Sequence, residues 1–262
     1  MSTHPAIPVQ KRAVLLSLSS CLILASLLAA TAAQDRFETG STELIIHPVH
    51  HASFVMEWNK QAIYVDPVGG ARVFARFPKP DVILLTDIHG DHLDAKTLEG
   101  LVKPDTQIVA PSAVVQMLPA SLRKQTSTLA NGATNAPVRF PIEAIAAYNT
   151  TEERLKFHLK GRGNGYILTL ETKRVYISGD TEETPEMRAL KDIDIAFVCM
   201  NLPYTMDVDQ AAKAVRTFHP KVVYPCHYKG SDLERFKKLL ESNTGVEVRI
   251  RDWYASDTSA SR

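Results

Sequence analysis

The sequence predicts an α/β domain made of two packed β-sheets with helices on their outer faces. Strand-like segments dominate the first part of the chain, whereas strands alternate with amphipathic helices in the second part. The chain has 262 residues and is 45% hydrophobic, which is enough to bury one large core. No internal repeat or linker divides the region after the N-terminus.

Apolar runs and alternating patterns predict the strands of the first half. They cover residues 43–47, 53–58, 62–65, 82–85 and 108–110, with shorter strands expected at 125–129, 138–140 and 144–147. We expect Asp94 to cap a short helix, because its side chain can accept hydrogen bonds from the first free N–H groups. Pro111 is expected to open another helix.

The second half predicts a hairpin followed by alternating strands and helices. The segment Glu171-Thr172-Lys173 separates strands 166–170 and 174–178, and Thr184 should cap a helix that starts with Pro185. Later strands are predicted at 193–200, 221–225 and 246–250. Capping boxes, formed by Asp207 with Gln210 and by Ser231 with Glu234, predict the start of the two intervening helices.

Residues 1–33 have the pattern of a secretory signal peptide. Lys11 and Arg12 precede an uncharged apolar run that ends in small residues, so cleavage is expected after Ala32 or Ala33. The run is long for such a peptide, and an uncleaved membrane anchor is the alternative. The predicted organisation is therefore a signal peptide at 1–33 and one domain at 34–262, exported to the periplasm or secreted. A membrane would be a partner only if the N-terminal segment were retained.

The charge of the chain gives no reason to expect a nucleic-acid partner. The formal net charge is +1, and removal of residues 1–33, which contain two basic residues and no acid, changes it to −1. We therefore expect a small-molecule substrate. Beyond the signal peptide only Cys199 and Cys226 remain, and we expect two buried thiols, although an oxidising compartment would let them pair if they are close.

Residues 86–94 concentrate side chains that can bind a metal. Asp87, His89, Asp91 and His92 directly follow the apolar run 82–85, and Asp180 and His227 each follow another apolar strand. Imidazole nitrogens and carboxylate oxygens are the ligands that zinc takes in proteins. A lone histidine on a strand is usually a hydrogen-bonded core residue, but this density at several strand ends predicts a metal site.

These residues resemble the metallo-β-lactamase family. The pattern Asp87-x-His89-x-Asp91-His92 is similar to the His-x-His-x-Asp-His signature of that family, and Gly179-Asp180-Thr181 and His227 resemble its later ligand segments. Segments 51–54 and 64–67 are similar to the branch related to ascorbate-6-phosphate lactonase. The resemblance implies an αββα four-layer sandwich with a dinuclear site, in which a metal-bound hydroxide performs hydrolysis.

The resemblance also implies a ligand set for each of two divalent metal ions. One ion would be bound by Asp91, His92, Asp180 and His227, and the other by Asp87, His89, His158 and Asp180 as a bridge. Asp91 would also act in catalysis by holding the hydroxide in line. Zn²⁺ is the expected ion, but Asp87 stands where the family has a histidine, and this harder ligand would also suit Mn²⁺ or Fe²⁺.

Two members of this set have alternatives. Asp87 would otherwise orient His89 without touching the metal. With His158 as the ligand, Tyr148 or Asn149 is expected to line the pocket, and the alternative for His158 is a surface residue on a loop.

Neighbouring residues have predicted supporting roles. Asp66 is expected to accept a hydrogen bond from a ligand histidine or to fix a loop. At most one of His50 and His51 is expected to reach the pocket, since strand alternation sends them to opposite faces. Lys160, Arg162 and Lys229 would attract an anionic substrate at the mouth, or else be solvated loop charges.

The sequence thus predicts an exported metal-dependent hydrolase that acts on an ester, lactone or phosphodiester-type small molecule. The alternative is a non-catalytic or single-metal binding protein on the same scaffold, in which Asp87 marks the loss of one metal site.

Overall fold

The computed structural model describes Met1 and residues 35–134, 136–242 and 244–254. The predicted signal peptide and its cleavage site lie outside these residues. Within the described ranges, no helix is long and apolar enough to cross a bilayer.

The first sheet contains seven strands in the order of the sequence. They are β1 (Asp35–Glu38), β2 (Glu43–His50), β3 (Ser53–Trp58), β4 (Gln61–Val65), β5 (Val82–Leu84), β6 (Gln107–Ala110) and β7 (Thr126–Thr128). Pairing is antiparallel from β1 to β4 and parallel from β4 to β7. The parallel strands β4 and β5 therefore end at the same edge of the sheet.

Three α-helices follow β5 and β6 along the chain. They are α1 (Ala95–Leu101), α2 (Ser112–Met117) and α3 (Ala120–Arg123), and a 3-10 helix spans Ala71–Phe74. Their buried residues, such as Leu98 and Val114, form an apolar cluster with Tyr64, Ile83 and Ile108 on the outer face of the first sheet. Asp94 caps α1 as predicted, with its side chain accepting from the N–H groups of Lys96 and Thr97.

The second sheet contains six strands in the order β13-β12-β11-β10-β9-β8. They are β8 (Ile142–Ala147), β9 (Gly163–Leu170), β10 (Lys173–Ile177), β11 (Ile195–Cys199), β12 (Val222–Cys226) and β13 (Glu247–Val248). The predicted hairpin is confirmed, since β9 and β10 are antiparallel, whereas β10 to β13 are parallel. The carboxyl ends of β10, β11 and β12 therefore share one edge.

Three further α-helices cover the outer face of the second sheet, and a 3-10 helix spans Glu152–Arg154. The α-helices are α4 (Pro185–Arg188), α5 (Val208–Phe218) and α6 (Leu233–Glu241). Val215 and Phe218 of α5 and Phe236 of α6 share an apolar cluster with Ala196 and Val198 of β11.

The inner faces of the two sheets pack on each other. Phe54 of β3 and Phe197 of β11 stack with ring centroids 4.2 Å apart, and Trp253 packs edge-on against Phe54 at 5.6 Å. These rings belong to one apolar cluster with members on both sheets. The predicted four-layer αββα sandwich is therefore confirmed.

Two local predictions were wrong. Residues 138–140 form no strand, because Pro137 and Pro141 flank them and neither has an N–H group to offer a strand ladder. The cap of α6 is Asp232, which accepts from the N–H of Arg235, and not Ser231, whose hydroxyl donates to the carbonyl of Met200. Cys199 and Cys226 are buried free thiols, as expected.

We expect Phe197→Ala to lower the free energy of unfolding by about 3–5 kcal/mol, because it removes a fully buried ring between the two sheets. Urea denaturation followed by circular dichroism would measure the loss. As a control, Val73→Ala on the exposed 3-10 helix should change stability by less than about 0.5 kcal/mol. Equal effects of both substitutions would contradict this account of the core.

Candidate metal centre

The candidate centre lies where strands of both sheets end. Asp66 follows β4, the segment from Thr86 to His92 follows β5, Asp180 follows β10 by three residues, and His227 follows β12 directly. Parallel strands present their carboxyl ends at one edge, so these side chains converge from distant parts of the sequence. This is the position in which α/β sheets commonly bind ligands.

The backbone at this edge adopts left-handed conformations. His51, Asp66 and His227 have φ values of 58°, 42° and 45°, and Gly179 has 61°. Such conformations are costly for residues with a side chain and cluster at functional sites. At position 179 a Cβ atom would lie 2.7 Å from the carbonyl oxygen of Asn164, so only glycine fits beside Asp180.

Asp180 is the buried carboxylate around which the histidines are arranged. Its Oδ2 atom lies 3.2 Å from Nε2 of His158, 3.3 Å from Nε2 of His92 and 3.5 Å from Nε2 of His227. The carboxylate and the three imidazoles are at most 4% exposed. Three nitrogens therefore face one oxygen, and all four side chains are almost completely buried.

Hydrogen bonds behind the rings set the tautomers of two of these histidines. Nδ1 of His92 lies 2.8 Å from Oδ2 of Asp66, which also accepts from the hydroxyl of Thr86. A carboxylate only accepts, so we assign the proton of a neutral His92 to Nδ1, which leaves the lone pair of Nε2 directed at Asp180. The predicted role of Asp66 towards a candidate ligand histidine is thus what the structure shows.

His158 is held in a similar way. Its Nδ1 atom lies 3.2 Å from the carbonyl oxygen of Tyr204. The amide of Asn149 uses its two hydrogens on the carbonyl oxygens of Tyr204 and Arg154, at 2.7 and 2.9 Å. We therefore assign the proton of His158 to Nδ1, with Nε2 as the free lone pair. The alternative of a surface residue is wrong, since the His158 side chain is only 3% exposed.

The electrostatic balance of the centre rests on these contacts. Burial by itself raises the pKa of Asp180, but the close approach of His227, His92 and His158 holds it well below its usual value. Burial lowers the pKa of His92, but Asp180 and Asp66 raise it well above its usual value. A proton and a metal cation therefore compete for Nε2 of His92.

The donor atoms fit a divalent cation. The Nε2 atoms of His92, His158 and His227 and Oδ1 of Asp180 are buried and make no hydrogen bond within the described part of the chain. Ligand atoms of His92, Asp180 and His227 all lie within 4.8 Å of one another. Buried polar atoms without partners are costly, and a cation coordinated by them removes that cost.

Asp91 lies on the solvent side of the centre. Its Oδ2 atom is 3.0 Å from Nε2 of His51 and 3.2 Å from Nε2 of His227, while its side chain is 42% exposed. Partial burial raises the pKa of Asp91, but the close approach of His227 and the hydrogen bond with His51 lower it far below its usual value. It is therefore a carboxylate at neutral pH. His51 is the member of the His50 and His51 pair that reaches the site.

Asp87 and His89 form a second group beside the first. Oδ2 of Asp87 lies 2.7 Å from Nδ1 of His89 and 3.7 Å from Nε2 of His158. The guanidinium of Arg162 contacts both oxygens of Asp87, with Nε 3.2 Å from Oδ1 and Nη2 3.3 Å from Oδ2. The contact between Asp87 and His89 is the one expected if Asp87 orients that histidine.

A cavity of about 600 Å³ opens onto the centre. Its polar lining comes from candidate ligands together with His51, Asn201 and Lys229. Its apolar lining was not assigned from the sequence and comes from Phe157, Leu202, Pro203 and Tyr204. Leu202 and Tyr204 are about half exposed at 47% and 46%, so this apolar surface is available to a ligand in the cavity.

The structure brings all seven predicted metal-site residues together. They are Asp87, His89, Asp91, His92, His158, Asp180 and His227, and their roles as ligands stay a prediction. Tyr148 and Asn149 are not among the residues that line the cavity, so that expectation was wrong. Asn149 instead donates its backbone N–H to the carbonyl oxygen of His158 at 2.9 Å, and Tyr148 contacts Lys160 and Glu186 outside the cavity.

Among the three cations predicted near the mouth, only Lys229 lines the cavity. Lys160 pairs with Glu186 at 3.1 Å, and Arg162 turns inward to Asp87. The contact between Arg162 and Asp87 had no sequence signal, because 75 positions separate the two residues.

Comparisons with known proteins agree with this geometry. The family model of the β-lactamase superfamily domain matches residues 46–227. A UPF0173 metal-dependent hydrolase of Pyrococcus furiosus is 30% identical over 216 residues, which cover 76% of this chain and 92% of the relative.

Solved structures show the same architecture. A proposed metal-dependent hydrolase from Parabacteroides distasonis is 44% identical, with a TM-score of 0.77 over 84% of this chain and 98% of that chain. A metallo hydrolase from Ignicoccus hospitalis, 22% identical, shares the fold with a TM-score of 0.67 over 80% of this chain and 95% of that one. The narrower resemblance to ascorbate-6-phosphate lactonase stays a prediction. The chain belongs to the β-lactamase superfamily and is a metal-dependent hydrolase with the metallo-β-lactamase fold.

Proposed function

We propose that this protein is an exported hydrolase that cleaves an ester, lactone or phosphodiester-type bond in a small molecule with metal-activated water. The observation that carries the proposal is the set of buried imidazole nitrogens that face Asp180 without hydrogen bonds. These atoms have the chemistry of ligands for a divalent cation. Zn²⁺ fits them best, and Mn²⁺ or Fe²⁺ would suit the additional carboxylate of Asp87.

A bound divalent cation would lower the pKa of a coordinated water toward ~7 and polarise the carbonyl or phosphoryl oxygen under attack. The family resemblance predicts a pair of ions, with Asp87, His89 and His158 as further ligands of the second. Hydrolysis requires only the first ion, at Asp180, because hydrolases with a single zinc ion are known.

Asp91 is suited to hold the attacking water. Its Oδ2 atom is fixed between His51 and His227, so the carboxylate has a defined orientation. Its Oδ1 atom lies 3.9 Å from Nε2 of His92, beyond hydrogen-bond distance, and can accept a hydrogen bond from water in the cavity. A carboxylate that remains ionised at neutral pH can orient a water by accepting a hydrogen bond from it.

The cavity limits the substrate class. Its volume of about 600 Å³ accommodates a small molecule, and its apolar lining would contact the part of the substrate that is not cleaved. Asn201 and Lys229 offer polar contacts beside this lining. The near-zero net charge of the chain supports a small-molecule substrate over a nucleic acid.

We expect His227→Ala to lower metal affinity and kcat/KM by more than about 100-fold. Loss of a residue that only hydrogen-bonds a metal ligand typically costs about 10–100-fold, and loss of the ligand itself should cost more. The metal content of the protein after dialysis would measure the affinity, and the rate of hydrolysis of generic esters and phosphodiesters would measure kcat/KM. His219→Ala is the matched control, because His219 caps α5 on the exposed surface and should leave both quantities unchanged. Full activity of His227→Ala would contradict the proposal.

We expect Asp66→Asn to weaken metal binding by about 10–100-fold, because the neutral amide no longer accepts the Nδ1 proton of His92 as strongly. Competition with a chromophoric chelator would measure the affinity. Asp81→Asn is the control. Asp81 directly precedes β5, at the edge of the first sheet opposite the metal centre, and pairs with Lys103. Identical affinities for both variants would show that Asp66 does not tune the centre.

Export predicts a defined N-terminus. Protein recovered from the exported fraction should begin after Ala32 or Ala33 and should lack Lys11 and Arg12, which intact-mass spectrometry can determine. Recovery of the uncleaved chain in the membrane fraction would indicate an anchor instead. Recovery of the uncleaved chain in the cytosol would contradict export.

A further inference from the structure

Arg162 lies inside the site, where its guanidinium group contacts the atoms by which Asp87 and His89 would bind a metal. Both oxygens of Asp87 accept from it, at 3.2 and 3.3 Å, and its Nη2 atom lies 3.4 Å from Nε2 of His89. Nη2 also donates to the carbonyl oxygen of Phe157. The Arg162 side chain is 16% exposed and that of Asp87 is 3% exposed.

The backbone fixes Arg162 at this place. Arg162 directly precedes β9, and the N–H of Asn164 donates to the carbonyl oxygen of Thr86 at 2.9 Å. Between them, a Cβ atom on Gly163 would lie 3.3 Å from that same carbonyl oxygen and 3.6 Å from Oδ1 of Asp87. The start of β9 is thus packed against the residue that precedes Asp87, so the guanidinium reaches the carboxylate from a fixed position.

Arg162 already contacts the atoms of Asp87 and His89 that could bind a metal. Nδ1 of His89 lies 2.7 Å from Oδ2 of Asp87, so we assign the proton of neutral His89 to Nδ1. Its Nε2 lone pair then faces Arg162, which has only donors. A second metal would have to compete with Arg162 for the Nε2 lone pair of His89 and share the carboxylate of Asp87 with it, and would lie beside a guanidinium that does not lose its charge.

His158 lies closer to the first group than to the second. Its Nε2 atom is 3.2 Å from Oδ2 of Asp180 and 3.7 Å from Oδ2 of Asp87. Asp180, His92, His158 and His227 together offer four protein ligands, one carboxylate and the three imidazoles that face it. Four ligands complete the set that zinc takes in tetrahedral sites, or leave one position for water if one of them does not coordinate.

We propose that the chain binds one divalent cation tightly, at Asp180 with His92, His158 and His227, and that Arg162 supplies the second positive charge at Asp87 and His89 in place of a second ion. This inference rests on the proposed metal-dependent function and departs from the two ions that the family resemblance predicts. The pairing of one guanidinium with one carboxylate neutralises Asp87 without a metal.

The test is the stoichiometry of the full-length protein with Zn²⁺ alone. After loading and dialysis against metal-free buffer, elemental analysis should give one equivalent for the native protein. The double variant Arg162→Gln with Asp87→His should hold two equivalents. Arg162→Gln alone should bind a second Zn²⁺ about tenfold or more tightly than the native protein, because the competing charge is gone.

Spin coupling gives a readout that does not depend on activity. Loaded with Mn²⁺, the native protein should give the electron paramagnetic resonance spectrum of isolated ions, and the double variant that of a coupled pair. Arg235→Gln is the matched control, because it removes an exposed pair with Asp209 between α5 and α6 and should leave the stoichiometry at one.

The outcomes separate this inference from the proposed function. Two equivalents of similar affinity in the native protein would overturn the role of Arg162 and leave the hydrolase intact. Less than one equivalent would overturn the proposed function itself. If Arg162→Gln does not fold, as judged by circular dichroism, Arg162→Lys keeps the charge and should hold one equivalent, and two equivalents there would overturn the inference.

Discussion

The structure depends on one buried carboxylate, Asp180, and on the three imidazoles that face its Oδ2 atom. The Nε2 atoms of the three imidazoles and Oδ1 of Asp180 are buried without hydrogen bonds, which is costly in a folded protein unless a cation coordinates them. Metal binding and folding stability are therefore coupled, because an ion that binds only the folded chain stabilises it. The strands, the left-handed turns and the hydrogen bonds behind the rings all serve to place these four side chains.

The sandwich explains how residues so distant in sequence meet. β4 and β5 of the first sheet and β10 to β12 of the second are parallel within their own sheets, and the inner faces join through Phe54 and Phe197. Strand ends of both sheets therefore lie at one edge. Left-handed backbone at Asp66 and His227 then turns each chain immediately after its strand, so the side chain points into the site and not along the surface.

Charge balance distinguishes the two halves of the site. Around Asp180 the Nε2 atoms of the three histidines make no hydrogen bond, whereas around Asp87 the carboxylate oxygens already receive hydrogen bonds from Arg162. The replacement of a histidine by Asp87 in the family pattern and the inward position of Arg162 compensate each other. A carboxylate without the guanidinium would add uncompensated negative charge, and a guanidinium without the carboxylate would repel the neighbouring cation.

Much of this protein could be predicted from its sequence, because the signals are local. Apolar runs marked the strands, Asp94, Thr184 and Asp207 marked helix starts, and metal-capable residues at strand ends marked the site. Tertiary structure decided what local patterns do not encode. It buried His158 and gave Asn149 its supporting role, it placed Leu202 and Tyr204 on the cavity, and it joined Arg162 to Asp87 across 75 positions. The reason is that a pattern records which face of a strand or helix a residue occupies, whereas a contact between elements depends on how the whole chain packs.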